Sequence, residues 1–233
     1  PERVIIEYNG MWLVSNFEKM QLPTGWGVEQ QITCVDGSTF QMYMANMKSI
    51  FMDMIKNTDM VIFNRCKKED PLPTYRRGIK VANQRAEVIF EDEEGELGDI
   101  FQDEMPFDMN APVIEILPED YGIWFVDAMD HPENYEGKTV KFKARVMKPR
   151  GMGSKFFVPG RTAMTCCADD TTFLGYVCKS AYAPKLTPGE WVEVTAKVGI
   201  EKRNEYQGEE GIVLDAEHVE QCDPLEDEMV YFN

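Results

Sequence analysis

Positive charge and histidine are both scarce in this chain. Its 24 Lys and Arg stand against 41 Asp and Glu, with two His, and the net charge is −17 at pH 7. A phosphate backbone is held mainly by Lys and Arg, so this balance weighs against nucleic acid and against an anionic membrane surface. No apolar run approaches the roughly 18 residues that cross a bilayer. There is no Gly-x-Ser-x-Gly, no glycine-rich phosphate loop and no His-Glu-x-x-His, so an enzyme is the weaker expectation. Six cysteines do not make a disulfide framework at this length, and no Cys-x-x-Cys pair marks a zinc ribbon. The chain opens at Pro1 with neither Met nor a signal peptide, which is the expectation for a processed form.

What is present is enough for a core, since 43% of the residues are hydrophobic. The first half reads as a mixed α+β module over 1–110. Residues 3–15 suggest two short strands around the turn pair Asn9-Gly10. Alternation from Val28 to Cys34 suggests another strand. Phe40, Met44, Met47, Phe51, Met54 and Ile55 recur at helical spacing, and the Met run is read as core packing rather than as soft-metal ligation. Met60–Phe63 predicts a strand and Gly78–Phe90 one or two more. The acidic run from Glu91 to Asp108 predicts a solvated loop or linker, without the spacing of a calcium loop.

The second half predicts an all-β, OB-like five-stranded barrel over 112–222, with an SH3-like barrel as the structural rival and an acidic tail at 223–233. A helical pattern through Ile123, Trp124, Val126 and Met129 would cap one end of the barrel. Val140, Phe142, Ala144 and Val146 alternate with Lys and Arg, the pattern of a strand with one wet face. Phe156–Val158 and Thr162–Cys167 are expected as strands around a turn at Pro159-Gly160, followed by Thr172–Cys178, Trp191–Val198 and Ile212–Val219. The basic cluster from Lys138 to Arg150, beside Phe156 and Phe157, resembles an oligonucleotide-binding strip. Neither half of the chain is net positive, so these lysines are read as a solvated strand face.

The chemistry concentrates in Arg161-Thr-Ala-Met-Thr-Cys-Cys-Ala-Asp-Asp170. Thiolates suit Zn²⁺, and a carboxylate from Asp169 is a third ligand type it accepts. Adjacent strand residues face opposite ways, so Cys166 and Cys167 converge on one ion only at a bulge or turn, which Asp169-Asp170 favours. Cys178 or His218 is the candidate for a fourth ligand. The rival readings are packing cysteines and a thiol-redox pair, for which Arg161 is the one nearby cation in sequence. His131, before Pro132, is read as a cap or surface residue, and Cys34 and Cys66 as buried or idle.

Three runs carry a resemblance: Pro132-Glu-Asn-Tyr-Glu-Gly-Lys-Thr-Val, Phe156 through Asp170 with its Met-Thr-Cys-Cys-Ala-Asp core, and Gly189-Glu-Trp-Val-Glu-Val-Thr. Together with the acidic ending Asp227–Tyr231, they resemble the soluble domain of the YcgQ-like family over about residues 112–233. The resemblance implies a non-enzymatic bacterial binding protein, extracytoplasmic or membrane-associated. It further implies a membrane permease as partner and a role in zinc homeostasis. Residues 1–110 have no counterpart in it. The resulting expectation is a possible zinc site at Cys166, Cys167, Asp169 and Cys178. A protein–protein module with packing cysteines and a thiol-redox protein are the alternatives.

Overall fold

A computed structural model describes residues 2–98, 105–165 and 171–230. By internal contacts the chain divides into two units, Pro1–Gln102 and Asp103–Asn233.

The first unit is built on three parallel strands, β1 (Ile32–Asp36), β2 (Met60–Asn64) and β3 (Glu87–Phe90), in the order β1-β2-β3. Parallel neighbours need crossovers, and two helices supply them. A short helix α1 (Val14–Glu18) precedes the sheet; α2 (Phe40–Ile55) joins β1 to β2, and α3 (Leu72–Ala82) joins β2 to β3. Phe40 of α2 and Tyr75 of α3 both lie against Phe63 of β2, with ring centroids 4.9 and 5.9 Å away. Phe63 stacks in turn on Phe90 at 4.8 Å. The core of this unit is therefore one layer of rings under two helices on one sheet face.

Local chemistry fixes the joints. Asp36 ends β1 by accepting from the Ser38 amide at 3.0 Å, and it pairs with Arg65 at 2.8 Å. These contacts lower its pKa, the Ser38 side chain contributing most. Asn83 closes α3 by donating to the Ile55 and Thr58 carbonyls, both at 2.8 Å.

Three local expectations are corrected here. Residues 3–13 form no strands; Asn9-Gly10 does turn, with Trp12 N donating to Asn9 O at 2.9 Å, but among the described residues no partner strand meets the apolar run. The first strand starts at Ile32, not Val28. Residues 78–82 are helical because α3 starts earlier, at a Pro71-Leu72-Pro73 entry suited to a first helical turn. Its buried Leu72, Tyr75 and Ile79 then repeat at helical spacing.

The second unit is the expected barrel. Its strands are β5 (Thr139–Met147), β6 (Phe156–Met164), β7 (Thr171–Gly175) continued by β8 (Val177–Lys179), β9 (Trp191–Lys202) and β10 (Glu210–Gln221). β5 pairs antiparallel with β6 and with β9, β6 with β7 and β8, and β9 with β10. Parallel pairing of β8 with β10 closes the circuit. That closure is the OB arrangement and excludes the SH3-like alternative. Two short strands are added, β4 (Ile114–Glu115) beside the start of β5, and β11 (Met229–Val230) beside β6.

Alternation along β5 is as expected, with Val140, Phe142, Ala144 and Val146 buried. The helix α4 (Tyr121–Asp130) closes the barrel end through hydrogen bonds as well as packing. Tyr121 donates to Leu174 O at 3.0 Å and Tyr176 donates to Phe125 O, while the Trp124 ring lies 4.8 Å from Phe142.

Pro159-Gly160 is no turn. β6 runs straight through it, with Pro159 opposite Val146 and Gly160 opposite Gly175. Glycine is required there because a Cβ on Gly160 would lie 2.3 Å from Leu174 O. The predicted acidic tail is also more than a tail, since β11 pairs in parallel with Thr162 and Ala163.

Candidate functional site

β6 and β7 make a hairpin in which Met164 and Thr171 are register partners. The residues between them carry the predicted ligands. Cys166, Cys167 and Asp169, with Asp170, lie outside the described residues.

Cys178 is described. It sits on β8 between Phe157 of β6 and Leu214 of β10, at the opposite end of β6 from Met164, with 0% exposure. Burial is the chief cause that pushes its thiol well above the ordinary range. His218 is exposed beside a bulge in β10, and its Nε2 lies 3.3 Å from Glu220. His131 caps the C-terminus of α4 and faces Glu133 at 3.7 Å, the surface role expected of it. Among the described residues no group of three or more His, Cys, Asp or Glu is arranged to hold a metal ion.

The other cysteines divide by exposure. Cys34 is exposed on β1 and Cys222 is half-buried, whereas Cys66 is buried beside Gly37, and burial raises its pKa to about 11. A thiol whose proton is held more tightly in the folded chain stabilises fully below its unfolded pKa. Cys66 should thus contribute to a fall in stability as pH rises from about 9 through 11, and Cys66→Ala should make that fall shallower in urea titrations at successive pH values while the contribution of Cys178 remains. Iodoacetamide at pH 8 should label Cys34 in the native protein and reach Cys66 and Cys178 only after denaturation. Labelling of either buried thiol at the Cys34 rate would refute that assignment.

One residue that pattern reading singled out only as a cation next to the thiols has a different position. Arg161 on β6 is 2% exposed. Its guanidinium donates to three main-chain carbonyls: Pro118 O, Asp227 O at 3.0 Å and Met229 O at 3.1 Å. It also lies 5.6 Å from the Tyr121 ring centroid. Desolvation lowers its pKa, opposed by Tyr121 and Asp227. Arg161 is thus a clamp that binds the tail strand to β6 immediately before the cysteine pair. The sequence signal was an arginine in a strand whose neighbours are all apolar or small.

Four basic residues in and beside β5 are engaged within their own unit. Lys141 pairs with Glu193 at 2.8 Å and Arg145 with Glu228 at 3.5 Å. Lys138 donates to Met109 O at 3.1 Å, and Lys148 to the Ala183 and Leu186 carbonyls at 2.6 Å. Arg203 covers the Phe156 ring at 4.4 Å. A cavity of about 150 Å³ is lined by Leu117, Tyr121, Phe142, the tail's Leu225 and the paired Lys141 and Glu193.

These features define the barrel as an OB-fold module with an added C-terminal strand. The DUF1980 C-terminal domain family matches residues 96–232, more than half of the chain, and the chain belongs to that family. No curated protein matches it. Among solved structures, the chain is similar to a mitochondrial single-stranded DNA binding protein from S. cerevisiae at 10% identity. That match covers 38% of this chain and 97% of the other, with a TM-score of 0.23. It is also similar to a small single-stranded DNA-binding protein from Streptomyces coelicolor at 14% identity, covering 37% and 95%, with a TM-score of 0.23. A third similarity is to the aspartyl tRNA synthetase from Entamoeba histolytica at 15% identity, covering 51% of this chain and 27% of that one, with a TM-score of 0.27. No helix among the described residues is long and apolar enough to cross a membrane.

Proposed function

We propose that the barrel is a non-enzymatic metal-binding module that takes Zn²⁺ on the β6–β7 connection through Cys166, Cys167 and Asp169. The observation that carries this is the hairpin register: Met164 and Thr171 are paired, so both cysteines and the carboxylate belong to a connection whose two ends are held side by side. The strand before it is anchored on both edges, by β7 and by the Arg161-clamped β11. Two thiolates and a carboxylate are a zinc donor set that leaves one position open for water or cargo. Cys178 would have to lose its proton in a fully buried setting, so the site is assigned without it. Arg161 is engaged with carbonyls, which removes the cation that the thiol-redox alternative needs.

The YcgQ-like resemblance extends this reading to a bacterial, membrane-associated or extracytoplasmic subunit that hands its ion to a permease. Nucleic acid is not the partner in this proposal. Its support is the acidic net charge and the pairing of Lys138, Lys141, Arg145 and Lys148 with this unit's own carboxylates and carbonyls.

The test is metal content with a thiol count, on protein purified without chelator or nickel. About one equivalent of zinc is expected, lost in Cys166→Ser and in Cys167→Ser while Cys178→Ser retains it. Absence of bound metal after zinc incubation, with the barrel folded, would sink the reading.

A further inference from the structure

Lys143, on the wet face of β5, is left without the partner that the sheet register offers it. Its register partner on β9 is Glu193. The Glu193 carboxylate instead bonds diagonally to Lys141, two residues earlier on the same face, at 2.8 Å. Lys143 therefore forms no ion pair among the described residues. Glu115 on β4 forms none either, because its own register partner is the occupied Lys141. One cation and one carboxylate thus stand beside a pair that has neutralised itself.

All four of these side chains line the cavity of about 150 Å³, which is part-open to solvent. The rest of the lining is apolar or aromatic: Ile116, Leu117, Pro118 and Leu225, with Tyr121 and Phe142 from the barrel core. An apolar cavity of that size holds one benzene ring. Ligand sites join such walls to a few polar groups that fix orientation. The charges select among ring-sized ligands. A hydrocarbon gains nothing from Lys143 or Glu115. A simple carboxylate meets Lys143 with Glu115 opposing it, and a simple amine meets the reverse. A zwitterion uses both groups. We propose that this cavity binds a free α-amino acid with a bulky apolar side chain, of the size of leucine or phenylalanine. The side chain packs against Leu117 and Leu225, the carboxylate meets Lys143 and the ammonium meets Glu115. Leu225 lies between β10 and β11, so the ligand also ties that stretch to β5. The assignment uses no residue of the β6–β7 connection and is independent of the zinc reading.

The test is a titration of the isotope-labelled full chain, read from the amide shifts of Leu117, Lys143 and Leu225. L-Phenylalanine, L-leucine or both should give saturable shifts at those amides, and glycine, which lacks the apolar group, should give none. 3-Phenylpropionate lacks the ammonium and phenethylamine lacks the carboxylate. Each should bind at least about tenfold more weakly than L-phenylalanine, the loss expected for one charge-assisted contact. Lys143→Ala and Glu115→Gln should weaken L-phenylalanine by a similar factor, and Lys143→Arg should keep most of the binding, with the circular dichroism of all three variants unchanged. Toluene binding as tightly as the amino acid would overturn the proposal, and so would either single-charge analogue doing so. Equal affinity for phenylalanylglycine would assign the cavity to a peptide N-terminus and overturn it too. The absence of any saturable shift up to about 10 mM amino acid would overturn it outright.

Discussion

Replacing Arg161 by Ala is expected to destabilise the barrel by about 4 kcal/mol and to release β11. A hydrogen bond from a charged donor contributes about 1.5–3 kcal/mol, and removing one side of a buried charged contact costs about 3–5 kcal/mol. Here three carbonyls, those of Pro118, Asp227 and Met229, lose their donor at once. Arg161→Lys should recover less than half of the loss, because a single ammonium cannot span three acceptors in the geometry of a planar fork. Urea titration followed by Trp fluorescence reads the stability, and amide exchange at Met229 and Val230 reads the strand. A loss below about 1 kcal/mol with those amides still protected would show that the clamp is not what holds the tail.

The second large effect is expected at Gly160. Gly160→Ala should cost about 3 kcal/mol or more, or leave the barrel unfolded. The new Cβ would sit 2.3 Å from Leu174 O and 2.4 Å from a Phe173 ring carbon, and a Cβ on the partner residue Gly175 would lie 2.6 Å from Pro159 O. The obstruction is partly main chain, so a rotamer change cannot relieve it. Gly153→Ala is the control, since its Cβ meets Phe156 at an ordinary 3.4 Å, and it should change stability by less than about 1 kcal/mol. Thermal melts of the two variants side by side decide the point, and equal midpoints would refute it.

Residues whose pattern has a single physical cause were legible in the sequence. β5 alternates because one face meets solvent and the other the barrel core, so Val140, Phe142, Ala144 and Val146 could be assigned inward at once. The helix at 40–55 and the barrel class were readable for similar reasons. Other elements answer to partners that the local pattern does not name. Residues 3–13 have strand-like composition, and among the described residues no strand pairs with them. Pro159-Gly160 looks like a turn because the close approach of Leu174 comes from elsewhere in the chain. The Asp227–Val230 segment looks like a solvated tail because its attachment runs through main-chain carbonyls, which leave no side-chain signature.

The candidate site is legible only in part, since Cys166, Cys167 and Asp169 lie outside the described residues. The donor types at Cys166, Cys167 and Asp169 come from sequence, and the structure adds their bracket, the hairpin ends at Met164 and Thr171. What sequence alone could not supply was the separation of Cys178, which belongs to the core at the other end of β6. The family match also begins at residue 96, earlier than the resemblance read from about residue 112.

The pairing of β11 with β6 has a consequence for synthesis on the ribosome. Strands emerge in order, and β6 leaves the exit tunnel well before its partner at Met229–Val230 exists. The barrel circuit itself cannot close until β10 arrives to meet β8 and β9. Until then the Arg161 guanidinium must remain hydrated, since its carbonyl partners at Asp227 and Met229 have not been made. Its dehydration therefore waits until Asp227–Val230 has been made. The nascent barrel spends that interval with its Thr162–Ala163 edge open, the stage at which a chaperone has most to shield.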